Sequence, residues 1–125
     1  NDELRKAIER CRVVGFKVCV CAASEEEAER VAELGPEYIA YEPPELIGSA
    51  DKSVSSEKAD IISAVIGKLG NHAILIGAGI HSRLDVEVGL KLGAKGVLVS
   101  SDIVLASDPE KELRELAEPF AMMKK

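Results

Sequence analysis

The chain has 125 residues, 46% hydrophobic and 30% charged, which fits one domain (residues 1–125) with enough length for a real core. Its net charge is −6, with no basic cluster and no aromatic stripe, which argues against a nucleic-acid partner. No run approaches the roughly 18 apolar residues of a membrane span, and no signal-peptide pattern stands out, so no membrane partner and a cytoplasmic location are expected.

Asp2–Val14 carries Leu4, Ala7, Ile8 and Cys11 at helical spacing, and Gly15 follows where a helix would stop. Phe16–Cys21 (FKVCVC) then reads as a strand. Its Cys19 and Cys21 share one face. Together with Cys11 they form an odd set without repeated spacing, so buried thiols are expected, not a disulfide framework or a metal site. Ser24 opens a helix, with Glu27 three residues on in a capping-box pattern, and Gly35 closes it. Tyr38–Tyr41 (YIAY) is the second strand. A further helix over Glu57–Leu69 places Ile61, Ile62, Val65, Ile66 and Leu69 on one stripe and stops at Gly70. Ala73–Ile76 (AILI) is the third strand. Ser82 with Asp85 starts the next helix, whose Val86, Leu90 and Leu92 lead to Gly93. Gly96–Val99 (GVLV) is the fourth strand. Asp108-Pro109 caps the last helix, with proline in the first turn where its missing N–H costs nothing. That helix is expected to end at about Glu118, before Pro119, and the tail from Met122 to Lys125 looks frayed.

The strands are continuous apolar runs, as parallel strands covered on both faces should be. The four glycines ahead of them suit the left-handed backbone of a helix C-terminus. The order α-βα-βα-βα-βα predicts an α/β fold with four parallel strands and right-handed crossovers. A closed βα barrel needs eight strands and roughly 250 residues. An open four-stranded sheet could exist, but its two edges and its inner face would need covering, so the natural reading is half of something larger.

Ligands of such folds sit beyond the carboxyl ends of the strands. The second strand ends in Glu42, a carboxylate on the functional rim, followed at once by Pro43 and Pro44, which fix the backbone. A partly desolvated carboxylate there suits a general base; a surface acid paired with a lysine is the alternative. Glu45, Leu46, Ile47, Gly48, Ser49 and Ala50 follow, giving a stiff start, an apolar middle and a small-residue exit. A closing lid needs those features, although an ordinary long βα loop fits them too. The third strand ends in Gly77, Ala78 and Gly79, which let backbone amides approach an anion closely or simply make a tight turn. The fourth ends in Ser100 and Ser101, and a helical turn over Asp102–Leu105 would aim its N-terminus at the same spot.

The stretch Ala40–Gly48 (AYEPPELIG), then Val54-Ser55, Ile76–Ile80 (IGAGI), Gly96–Ser101 (GVLVSS) and Asp108–Lys111 (DPEK) together resemble archaeal-type triosephosphate isomerase, from about Leu4 to Leu116. The resemblance implies strands five to eight of a (βα)8 barrel, the C-terminal half. It implies interconversion of dihydroxyacetone phosphate and glyceraldehyde 3-phosphate, without cofactor or metal. Carried over, Glu42 is the base, Pro43 to about Ala50 the lid, and Ile47 or Gly48 with Gly77–Gly79 and Ser100-Ser101 the phosphate site. In that family the glutamate works beside a neutral histidine under a loop that excludes water, a pairing that belongs to the family and is not read from these residues.

This chain departs from the pattern in places. The family's polarising histidine and its electrostatic lysine would precede Asn1. His72 falls on the opposite rim, and His81 reads as a solvated loop residue. Asp102 stands where the family commonly has a small residue, and beside a phosphate it would have to point away. The lid exit Gly48-Ser49-Ala50-Asp51 lacks the second glycine of the usual G-T-G. The implied partners are a phosphorylated triose and either the missing N-terminal half barrel or further copies of this chain in a homo-oligomer. On its own the chain is expected to be inactive. Two other readings stay open: an indoleglycerol- or prenyl-phosphate-type barrel enzyme, and a non-catalytic half-barrel, natural or engineered, that self-associates.

Overall fold

Strand positions decide the layers. In the computed structural model, which describes residues 2–123, four strands form one parallel sheet in the order β1-β2-β3-β4. They are β1 (Cys19–Ala22), β2 (Tyr38–Tyr41), β3 (Ile74–Ile76) and β4 (Gly96–Val97). The helices among the described residues are α1 (Asp2–Val13), α2 (Glu25–Leu34), α3 (Ala59–Lys68), α4 (Arg83–Lys91), α5 (Ser101–Val104) and α6 (Pro109–Met122). A 3-10 turn over Pro44–Leu46 and a π-helical turn over Val54–Lys58 lie between β2 and α3. Sequential, parallel strands joined by helices make the four-stranded α/β arc of a half barrel.

Side chains alternate across the sheet. Val20, Ile39 and Ile74 share one row of the register, and Ala22, Tyr41, Ile76 and Val97 the next. They pack with Ala28 and Val31 of α2, Ile62 and Val65 of α3, Val86 and Leu90 of α4, and Leu116 of α6. The opposite face carries Cys21, Ala40, Leu75 and Gly96 in one row. Cys19 and Cys21 on the β1 side of this face are exposed, which corrects the expectation of buried thiols, whereas Ala40 in its middle is fully buried.

Several boundaries move for identifiable reasons. β1 starts at Cys19, not Phe16, because Phe16 belongs to the helix stop. Gly15 takes φ +82°, its N–H donates to the Arg12 carbonyl (3.0 Å) and Phe16 N–H to that of Cys11 (2.8 Å), the paired bonds of a Schellman motif. Gly35 and Gly93 also take positive φ, but Gly70 does not; α3 ends instead through Leu69 N–H to Val65 O and a turn from His72 N–H to Leu69 O. α6 continues through Pro119 to Met122, because a proline in the last turn forfeits only one helical bond while its ring is buried. Met123 caps that helix, and Lys124 and Lys125 lie outside the described residues.

Ile39 has no exposed surface and sits on a central strand. Ile39→Ala is expected to lower the unfolding free energy by about 2–5 kcal/mol, lost burial plus a residual cavity. Urea denaturation at constant slope measures this, and a loss well under ~1 kcal/mol would contradict the packing described.

Candidate active site

β2 positions the first functional side chain. Tyr41 turns into the helix-covered core and is 4% exposed, so the next residue, Glu42, projects from the uncovered face. Its backbone still belongs to the sheet, since Glu42 N–H donates to the Ala22 carbonyl at 2.8 Å. The side chain lies over Gly77, where a Cβ would meet Glu42 Cγ at 2.4 Å and Oε1 at 2.7 Å. Any larger residue at 77 would displace the carboxylate. The Cys21 thiol on the neighbouring strand stands within hydrogen-bonding reach of Glu42. Reduced contact with solvent, then that bond and the Glu42 charge, push its pKa up to about 11, so it remains a protonated donor at neutral pH.

Pro43 is buried, and the loop beyond it winds into a tight turn: Leu46 N–H donates to Pro43 O at 2.9 Å and Ile47 N–H to Pro44 O at 3.2 Å. Leu46 is 1% exposed and rests on Gly79, where a Cβ would come within 2.7 Å of Leu46 Cδ1. Gly79 also takes φ +79°, so both space and backbone conformation require glycine there. Ile47 is exposed, and Gly48 takes φ +68°. The loop is pinned again at its far end. Val54, fully buried, donates its N–H to the Gly79 carbonyl at 3.0 Å.

Ser55 donates its N–H and its hydroxyl to Asp85 Oδ1 at 3.0 and 2.6 Å, while Asp85 Oδ2 accepts the amides of His81 (3.0 Å) and Ser82 (3.1 Å). Asp85 is only 2% exposed. Burial alone would raise its pKa; the Ser55 hydroxyl and amide and the His81 amide outweigh burial and hold it below the ordinary aspartate value. The sequence pattern shows Asp85 only as part of a helix start. Its second task, tying the loop after β2 to the loop after β3, depends on contacts between distant residues.

These elements enclose a cavity of about 380 Å3 lined by Glu42, residues 46–50, residues 77–81 and residues 98–102. The candidate residues Ile47, Gly48, Ser49, Ala50, Gly77, Ala78, Gly79, Ser100 and Ser101 therefore meet Glu42 in one place. Pro43, Pro44 and Glu45 lie outside the lining. Gly77 N–H is used in the sheet, donating to Tyr41 O at 2.9 Å, and Ile47 N–H is used inside the loop. The N–H groups of Gly48, Ala78, Gly79, Ser101 and Asp102 donate to no acceptor among the described residues. Four of them come from the two rims opposite the loop, an arrangement of main-chain dipoles suited to an anion.

Two side chains differ from expectation. His81 is not a solvated loop histidine: its ring bonds Asp102 through Nδ1 (2.9 Å) and Lys52 O through Nε2 (3.1 Å). Asp102 lies in the cavity lining, tied to His81. His72 precedes β3 and lies outside the cavity lining. No three His, Cys, Asp or Glu side chains among the described residues cluster as metal ligands would.

The triosephosphate isomerase family model matches residues 1–118, and the chain belongs to that family. It is 43% identical over 118 residues to the triosephosphate isomerase of Thermoplasma volcanium, covering 93% of this chain and 55% of that protein. It is 42% identical over 124 residues to that of Cenarchaeum symbiosum, covering 96% of this chain and 55% of the relative. The chain thus spans about half the length of the curated relatives it matches. Among solved structures, 3-hexulose-6-phosphate synthase from Salmonella typhimurium superposes with a TM-score of 0.68 at 22% identity, covering 95% of this chain and 56% of that one. Thiamine phosphate pyrophosphorylase from Pyrococcus furiosus gives a TM-score of 0.70 at 19% identity, covering 94% and 56%. At those identities the likeness is one of fold.

Asp85 generates a prediction with a definite sign. A carboxylate whose folded pKa is depressed stabilises the fold above its unfolded pKa of about 3.9, and that contribution is lost as pH falls through the folded value. Asp85→Asn is expected to destabilise by about 1–3 kcal/mol at pH 7, with the gap to the parent narrowing below about pH 4. Urea unfolding at both pH values tests this, and an equal gap at each contradicts the role given to the charge.

Proposed function

We propose that this chain supplies the base, the closing loop and the phosphate pocket for interconverting dihydroxyacetone phosphate and glyceraldehyde 3-phosphate. In this reading its strands are the fifth to eighth of a (βα)8 barrel. The other half comes from the rest of a longer chain, a partner, or further copies in a homo-oligomer, in the cytoplasm. The observation that supports it most is the single cavity in which the Glu42 carboxylate and the free amides of Ala78, Gly79, Ser101 and Asp102 face one space.

The chemistry follows from that arrangement. The reaction moves a proton between adjacent carbons of one substrate, through an enediolate, so it balances internally and calls for no cofactor. Glu42 takes the proton from the first carbon and returns it to the second. The phosphate, at the other end of the molecule, rests on main-chain dipoles that carry no mobile proton. Binding energy from the phosphate holds the loop closed, which keeps water from the intermediate. The hinge for that motion lies between the two pins, Leu46 on Gly79 and Val54 to Gly79 O, a span that contains Gly48. The substrate oxygen also needs an electrophile. His81 has both ring nitrogens engaged, so the second half barrel would contribute that group across the uncovered face of the sheet.

A second reading is a half barrel that associates without turnover. The exposed Cys19, Cys21 and Leu98 on the inner face favour it for this chain alone. Two experiments test the account, and the second separates the readings. The purified 125-residue chain is expected to sediment as a dimer or larger and to show no triose isomerisation by a coupled assay; a clean monomer, or turnover typical of an enzyme, goes against the account. When a chain carrying the first four βα units restores activity, Glu42→Gln should cut kcat/KM by about 10²–10⁴ while leaving phosphate affinity intact. Activity that survives this change removes Glu42 from the mechanism.

A further inference from the structure

The function proposed above leaves the side chains of His81 and Asp102 without a task, although both residues line the cavity. Their geometry favours one protonation state. Nε2 of His81 lies 3.1 Å from the Lys52 carbonyl, which can only accept, so Nε2 carries a hydrogen. Nδ1 lies 2.9 and 3.1 Å from the two oxygens of Asp102, and an ionised carboxylate also only accepts, so Nδ1 carries one too. With both nitrogens facing acceptors, the site is shaped for an imidazolium.

The ring and its two bonded partners come from three different rims. Lys52 lies near the end of the loop that follows Glu42, His81 belongs to the turn after β3, and Asp102 is the second residue of α5 after β4. The charged groups around the ring are Asp102 on α5, Asp85 on α4, whose carboxylate accepts the His81 main-chain amide, and Glu42 across the cavity. The Lys52 ammonium is turned to Glu57, 3.8 Å away, so the loop presents only its carbonyl to the ring. Without the imidazolium, Asp102 would place an uncompensated negative charge next to the amides of Ala78, Gly79 and Ser101.

We propose that His81 is a positioning residue that, as an imidazolium, clasps the exit of the 43–53 loop to the rim of β4 and cancels the Asp102 charge beside the anion pocket. The second half of this proposal rests on the phosphate reading above; the first does not. Withdrawal from water alone would lower the His81 pKa, but the Asp102 hydrogen bond and charge, followed by the Lys52 carbonyl, raise it overall. A raised folded pKa means the clasp is complete below the ordinary histidine value of about 6.5 and is lost as pH rises through the folded one.

The test uses the whole chain and reads three signals. Long-range proton–nitrogen NMR of its 2 histidines should show both His81 ring nitrogens protonated at pH 6, with a midpoint above about 6.5 that Asp102→Asn lowers. Amide exchange at residues 49–53, corrected for the intrinsic effect of pH, should speed by about threefold or more between pH 6 and 8. In His81→Gln it should be fast at both. Sulfate, whose charge is constant over this range, should shift the Ala78, Gly79 and Ser101 amides and bind more weakly at pH 8 than at pH 6. His81→Gln, which removes the titrating ring, should abolish that difference. A His81 ring with a single proton at pH 6, or parent loop exchange that does not change between pH 6 and 8, overturns the clasp; both are read on the parent even if a variant folds poorly. Absence of any sulfate shift in every variant overturns the phosphate reading and the charge-cancelling role, while the ring and loop signals still decide the clasp.

Discussion

The arrangement depends on what happens at one strand end. Tyr41 and Glu42 are neighbours, so the pleat that buries one in the core must send the other to the open face. Pro43 is the next residue, so the same strand end also launches the loop. Carboxylate and loop are therefore fixed by one short piece of backbone, anchored to β1 through Glu42 N–H and to β3 through Tyr41 O. Gly77 completes the constraint, because only the absence of a Cβ leaves the carboxylate its position.

Gly79 does a comparable job on the anion side. It accepts Val54 N–H, supports Leu46, and bends with positive φ so that its own N–H is left without an internal acceptor. Two anchors on one residue hold the loop at both ends, with the exposed Ile47 and Gly48 between them. Asp85 extends the same logic through the core side, gathering Ser55, His81 and Ser82 around a buried charge. A buried carboxylate is tolerated there because it is satisfied by several donors. The loop after β2 and the turn after β3 are thereby built as one unit.

Much of this was legible in the residues. Apolar runs between helix stops place all four strands, and Ser24, Ser82 and Asp108 cap their helices with side-chain bonds. Glu42, Gly77–Gly79 and Ser100-Ser101 converge because rim turns of parallel strands must neighbour one another. The failures have physical causes. Apolarity at Cys19 and Cys21 signals burial, yet burial needs a covering layer, which strand composition does not report. Phe16 looks like strand but is held by a helix terminus. His81 and Asp102 are 21 residues apart, and Asp85 and Ser55 are 30 apart; no local pattern connects them, only the fold.

The central claim is that one small phosphorylated molecule spans from the Glu42 carboxylate to the amides of Ala78, Gly79, Ser101 and Asp102. A crystal structure of the chain with a two-carbon phosphorylated carboxylic acid, which mimics a planar enediolate, tests it most directly. The account predicts the phosphate oxygens on those amides and the ligand's carboxylate within hydrogen-bonding distance of Glu42. A ligand bound elsewhere, or a phosphate so placed that Glu42 cannot reach the carbon end, would contradict it.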